Sequence, residues 1–229
     1  RNGNEIAGLI MEPIMYNAEP ILPQPGYLEG VRELKRQYDV VFIFDEVITG
    51  FRLALGGAEE YFGITPDLVV FAKAVAAGYP ISGVGGPKKI MESGVHPAGT
   101  FNANPLCVAA ALATLQELEK PGVYEGMRRI TGQIQEGVNE LAKKHHIKLW
   151  CDSQVSIWQL QFGIDHPMRD IRDNFLVDKK KYAKFYKECL KRGVRLHSSR
   201  GRFYISTAHT EKDVQQTLEV FDQVLPMLR

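Results

Sequence analysis

Residues 40–46, VVFIFDE, decide how the rest of the sequence is read. An unbroken β-branched and aromatic run from Val40 to Phe44 ends on two acids, Asp45 and Glu46. Such a run predicts a strand covered on both faces, as in a parallel sheet. Leu68–Phe71, LVVF, repeats the pattern and leads into Ala72 and Lys73. Ile6–Met11 predicts a further strand, and Ile81–Val84 another member of the same sheet. Between strands, Gly26–Gln37 has helical spacing, with Tyr27, Leu28, Val31 and Leu34 on one side and Glu29, Arg32, Glu33 and Lys35 on the other. Strands alternating with helices predict parallel pairing in an α/β layer.

From Asn104 the pattern turns helical. NPLCVAAALATLQELEK is rich in Ala and Leu, and a long amphipathic helix follows the Pro121–Gly122 break. Beyond it come a strand, VSIWQLQF, a basic helix over Lys179–Arg192, and a short strand around Phe203–Ile205. A last helix starts at Thr210, where TEKD resembles a capping box with Asp213 in the third helical position. The expected division is residues 1–120 as part of a doubly wound α/β domain and 121–229 as a smaller α+β domain.

The 229 residues are 45% hydrophobic and 24% charged, an ordinary globular balance. Lys+Arg 28 against Asp+Glu 27 gives a net charge of +1, which argues against a nucleic-acid partner. Apolar runs fall short of the ~18 residues of a spanning helix, so no membrane partner is expected. Cys107, Cys151 and Cys189 are scattered without metal spacing, which predicts reduced thiols and a cytoplasmic location. His145–His146 follows Lys143–Lys144 at a helix end, where positive charge complements the dipole, so no metal is expected there. Residue 1 is an arginine and a strand pattern follows at once, so the chain reads as though it begins within a fold, with no signal peptide.

Ligands of open parallel sheets collect at the carboxyl ends of the strands. An acid at one strand end, Asp45, and an amine at another, Lys73, suit a cofactor aldehyde: the amine forms a Schiff base, and the acid holds a ring nitrogen protonated. Burial would hold the Lys73 amine neutral and nucleophilic. Each residue alone also fits a plainer role, Lys73 at a helix cap and Asp45 capping the following turn.

Five ordered motifs carry a resemblance: AGLIMEPI, PGYLEGVRELKRQYDVVFIFDEVITGFR, GGAEEYFGITPDLVVFAK, GTFNANPLCVAAALATL and STAHTEKDV. Together they resemble the class III aminotransferases, pyridoxal 5'-phosphate enzymes of the aspartate-aminotransferase-like fold (fold type I). DEVITGFR followed closely by LGGAEEYFGITPDL is most similar to the glutamate-1-semialdehyde 2,1-aminomutase branch. The resemblance implies a mainly parallel α/β sheet in the large cofactor-binding domain, to which residues 1–120 would belong, and a small C-terminal α+β domain.

It also implies roles. Lys73 matches the lysine that forms the Schiff base and shuttles a proton, and Asp45 the aspartate paired with the pyridine nitrogen. Val47, two residues on in extended backbone, matches the residue packed against the ring face. Thr100 matches a threonine reaching the cofactor phosphate of the neighbouring subunit, which makes the enzyme a homodimer with a shared site. Glu12 and Arg52 match positions that support the site.

The sequence departs from the family in three places. Ala72 stands where glycine is usual, and Ala76-Ala77-Gly78 replaces a glycine run, so backbone freedom is reduced. Gly201 and Arg202 stand near the place of an aminomutase glutamate; a guanidinium there would suit a substrate carboxylate, although Arg202 also fits a solvent-facing basic patch with Arg195 and Arg200. The glycine-rich phosphate cradle and the second ring-stacking residue belong to the family's N-terminal half and have no match here, so the chain reads as a C-terminal portion. The expected activity is transfer of an amino group between an amino acid or amine and a keto acid. Intramolecular transfer by a semialdehyde aminomutase is the alternative, and a cofactor-free structural or interaction fragment is the third.

Overall fold

The computed structural model describes residues 5–92, 94, 98–198 and 201–228. The chain divides into two compact units, Arg1–Tyr16 with Leu22–Pro121, and Asn17–Ile21 with Gly122–Arg229.

The first unit is built on a four-stranded sheet in the order β1 (Gly8–Met11), β2 (Val41–Glu46), β3 (Leu68–Phe71), β4 (Gly83–Gly85). The first three strands are parallel, as the apolar runs predict. Phe42 and Phe44 on β2 are fully buried and meet edge to face at 4.9 Å. Val41, Ile43 and Asp45 alternate with them and are only half-buried. The expected cover on both faces is therefore complete on one face only. On β1 the side chains are mostly exposed, Ile10 to 58%.

Helix α1 (Tyr27–Tyr38) is anchored to the strands by Lys35, whose ammonium donates to Asp67 at 2.7 Å. Asp67 also accepts from the Phe42 amide at 2.8 Å. Desolvation raises the Asp67 carboxyl, but Lys35 and the Phe42 N–H outweigh it and hold the pKa below its usual value. Short helices α2 (Gly57–Phe62) and α3 (Lys88–Met91) follow β2 and β4. Helix α4 (Pro105–Leu118) begins at Asn104, whose side chain accepts from Leu106 N at 3.0 Å, and packs Ala111 against Val75 and Ala76.

The expected strand over Ile81–Val84 lies at Gly83–Gly85 and runs antiparallel to β3. Residues 72–82 hold one 3-10 turn and a Gly-Tyr-Pro bend, too little chain for the helical crossover that a parallel return requires.

The second unit is a three-stranded antiparallel sheet, β5 (Leu149–Gln154), β6 (Ile157–Phe162) and β7 (Arg202–Tyr204), with helices α5 (Val123–Lys144), α6 (Lys179–Lys191) and α7 (Glu211–Val224). Every residue of β6 is buried. Phe162, Phe185 and Phe221 join strand to helices through ring contacts of 5.1 and 4.8 Å. Asp213 accepts from the Thr210 amide at 2.8 Å and its hydroxyl at 2.7 Å, the start predicted for α7. Cys107, Cys151 and Cys189 are free and buried, and burial pushes the Cys189 thiol up to about 12.

Candidate active site at the carboxyl ends of β2 and β3

The register sets Asp45 opposite Val70, and Glu46 opposite Phe71, two residues before Lys73. The sheet thus brings the acid and the amine to neighbouring strand ends. Asp45 is half-buried; its Oδ1 accepts from the Val47 amide at 3.1 Å, and its Oδ2 has no partner among the described residues. β2 ends at Glu46, so Val47 lies in the turn that closes with Gly50 N donating to Glu46 O at 2.9 Å. The expectation that Val47 continues the strand is corrected: the chain must turn to reach Thr49 and Gly50.

Glu46 points the other way and is 1% exposed. Its Oε2 accepts from the Ala58 amide at 2.6 Å and the Thr49 hydroxyl at 3.0 Å, which secures α2 to the strand end. Desolvation raises the Glu46 pKa, and these donors offset it in part. Of the two adjacent acids, Glu46 is committed to Thr49 and Ala58, and Asp45 keeps one oxygen without a partner among the described residues.

Lys73 follows Ala72 in extended backbone and opens a 3-10 turn, Lys73–Ala76. Its φ is 50°, and Ala77 has φ 47°. Left-handed backbone at residues with a Cβ is costly, roughly 1–2 kcal/mol each. Lys73 and Ala77, the latter standing where a glycine is usual, therefore hold a strained turn, whereas Ala72 is in ordinary extended backbone; strain of this kind clusters at functional sites. Phe51, with φ 60°, sets its ring edge-on to Phe71 at 5.6 Å. Lys73 itself is exposed, which corrects the expected burial of its amine.

Thr100 is exposed and lies in the turn before α4, the helix that packs on the Lys73–Ala76 turn. Glu12 accepts from the Tyr16 amide at 3.0 Å, and Arg52 donates to Ile48 O at 2.8 Å, so both brace backbone near the strand ends. Arg202 belongs to the second unit, on β7 opposite Gln159, with its guanidinium 6.0 Å from the Tyr204 ring centre. Arg200 of the expected basic patch lies outside the described residues. Among the described residues, no group of three or more His, Cys, Asp or Glu could hold a metal ion, and no helix is long and apolar enough to cross a membrane.

The chain matches the family model described as aminotransferase class-III over residues 1–225. It is 38% identical over 232 aligned residues to a glutamate-1-semialdehyde 2,1-aminomutase of Desulfitobacterium hafniense, covering 99% of this chain and 54% of that protein. The crystal structure of an omega-transaminase from Sphaerobacter thermophilus superposes with a TM-score of 0.91 at 25% identity, over 99% of this chain and 53% of that one. The FumI protein of Sphingopyxis sp. MTA144, solved in its PLP internal aldimine form, gives a TM-score of 0.83 at 26% identity, over 98% and 52%. The chain spans about half the length of the relatives it matches. The fold is that of the PLP-dependent transaminases, and by this match the chain belongs to the class-III aminotransferases.

Proposed function

We propose that this chain carries the cofactor lysine of a pyridoxal-phosphate-dependent aminotransferase that moves an amino group between an amino acid or amine and a keto acid. The observation that carries the reading is Asp45, half-buried at a strand end beside the strand that delivers Lys73, with an Oδ2 that has no partner among the described residues. A carboxylate with one oxygen fixed by a backbone amide and one left over fits a protonated ring nitrogen. When bound, pyridoxal 5'-phosphate would supply an aldehyde for Lys73 and a ring that draws electrons from the substrate carbon. With the cofactor bound, Asp45 would hold the ring nitrogen protonated, Lys73 Nζ would take and return the proton at the substrate carbon, and Val47 would offer an apolar surface to the ring.

Thr100 is assigned to the cofactor phosphate of a second subunit in a homodimer. In support, the turn and helix that carry it present Phe101 at 82% exposure, Leu106 at 72% and Leu112 at 57%, and an apolar helix left uncovered calls for a partner surface. The first unit is then part of the large domain and the second is the small domain, with Arg202 assigned to a substrate carboxylate. A cytoplasmic location fits three unpaired thiols.

Borohydride reduction of the full-length protein followed by peptide mapping tests the reading: the pyridoxyl group is expected on Lys73, and finding it on another residue ends the proposal. The aminomutase reading is favoured by the name of the Desulfitobacterium relative. Turnover of an aminoaldehyde with no added keto acid would select it, and a strict need for an acceptor would exclude it.

A further inference from the structure

We propose that Glu19 is a specificity-determining residue: its carboxylate, held beside Arg202 by Gln159, restricts the acids that Arg202 can hold to those with a single carboxylate. The inference rests on the assignment of Arg202 to a substrate carboxylate, and adds what a neighbouring negative charge does to the choice of substrate.

Gly201 fixes where β7 lies. Its carbonyl accepts from Leu160 N at 2.7 Å, and a Cβ at this position would stand 2.2 Å from Leu160 O, so glycine is what lets the chain approach β6 this closely. The register that follows sets Arg202 opposite Gln159, and Gln159 opposite Asp152 on β5. Residues directly opposite in a ladder share a face, so Asp152, Gln159 and Arg202 form one row across the sheet.

Glu19 reaches this row from the segment Asn17–Ile21, which belongs to the second compact unit. Gln159 is 5% exposed, and its Nε2 donates to Oε2 of the half-buried Glu19. The side chain next to Arg202 in the row therefore fixes a carboxylate at its tip. Asp152 is the weaker charge, because its Oδ1 accepts from Ser153 N at 2.9 Å and desolvation raises its pKa. Glu19 and Arg202 each take part in further interactions of their own, so neither counts as a free charge. What decides is their sum. The guanidinium still offers a planar fork to one carboxylate. A second carboxylate on the same molecule finds no remaining positive charge on this row and meets Glu19, and in a half-buried setting that repulsion is only partly screened.

The test is calorimetric titration of the full-length protein with pentanoate and glutarate, unreactive acids of equal chain length that differ by one carboxylate. Pentanoate is expected to bind at least about tenfold more tightly than glutarate. Glu19→Gln keeps an acceptor for Gln159 and removes the charge, so it should narrow that gap at least about threefold, chiefly by tightening glutarate. Glu19→Asp keeps the charge and should keep the preference, which a merely structural role for Glu19 would not require. Arg202→Met should weaken both acids. If it weakens both while Glu19→Gln leaves the gap unchanged, the proposal fails and the assignment of Arg202 stands. If it weakens neither, the assignment fails and the proposal falls with it. Tighter binding of glutarate than of pentanoate to the unaltered protein, or no saturable binding of pentanoate, would also overturn the proposal. The borohydride label on Lys73 reports on amino transfer independently of these titrations.

Discussion

A Cβ on Gly57 would stand 2.5 Å from Oε2 of Glu46 and 2.7 Å from Oε1, so the buried carboxylate fills the volume that any other residue at position 57 would need. Gly57 also has φ +66°, in the left-handed region. Both effects act against Gly57→Ala, which is expected to cost about 2–4 kcal/mol of stability. Urea denaturation measures it, and a loss below about 0.5 kcal/mol would refute the packing of Glu46 against this glycine.

Three glycines in α5 separate backbone entropy from packing. A Cβ at Gly126 or Gly132 meets nothing within 4 Å, so alanine at either position should stabilise by about 0.5–1 kcal/mol. At Gly137 the same atom would stand 2.4 Å from Leu218 Cδ1. Gly137→Ala should therefore stabilise less or destabilise, because Leu218 must move. Thermal melts of the three variants rank them.

Asp222 on α7 joins Lys144 at 2.7 Å and His145 at 2.6 Å at the end of α5. These bonds lower its pKa from the usual 3.8, with Lys144 the larger cause. A carboxyl with a depressed folded pKa contributes stability above its unfolded value and loses it as pH falls through the folded one. Asp222→Asn should then cost about 0.5–1 kcal/mol at pH 7, discounted for exposure, and progressively less as pH falls below the unfolded value of 3.8 and through the folded one. Denaturation as a function of pH below 7 follows the change, and a cost that did not fall with pH would exclude the ion pairs as the cause.

The apolar runs made β2 and β3 legible because strands covered by helices need continuous hydrophobic sequence. Strand β5 escaped the reading: Leu149, Cys151 and Ser153 alternate with Trp150, Asp152 and Gln154, a half-buried pattern hidden by its polar members. Asp45 and Lys73 were marked by their places at run ends. Glu46 was passed over although it adjoins Asp45, and its signal was the Gly56–Gly57 pair further on, where the chain makes room for a carboxylate. The exposure of Lys73 was not legible, since a strand-end position does not say what stands above it.

Cys151 and Cys189 lie in the core of the second unit, and desolvation raises both thiols, Cys189 to about 12. The thiolate is the reactive form, so both should resist a thiol reagent in the native protein and react on unfolding. Ellman titration with and without urea checks this. Rapid native labelling mapped to Cys189 would contradict the packing of Phe185 and its neighbours around α6.

The two neighbouring acids of β2 should fail differently. Asp45→Asn keeps the acceptor from the Val47 amide but removes the charge offered to a ring nitrogen. Turnover of the full-length enzyme is expected to fall about 10²–10⁴-fold with unchanged stability and with Lys73 still labelled by borohydride. Glu46→Gln should instead cost about 1 kcal/mol of stability at pH 4.5, with turnover per folded molecule retained. Because burial raises the Glu46 pKa, its contribution is full below the unfolded value of 4.5 and declines as pH rises through the folded one, so the deficit of the glutamine variant should narrow toward pH 7. If both substitutions reduced turnover alike, the assignment of Asp45 to the reaction and Glu46 to the scaffold would not survive.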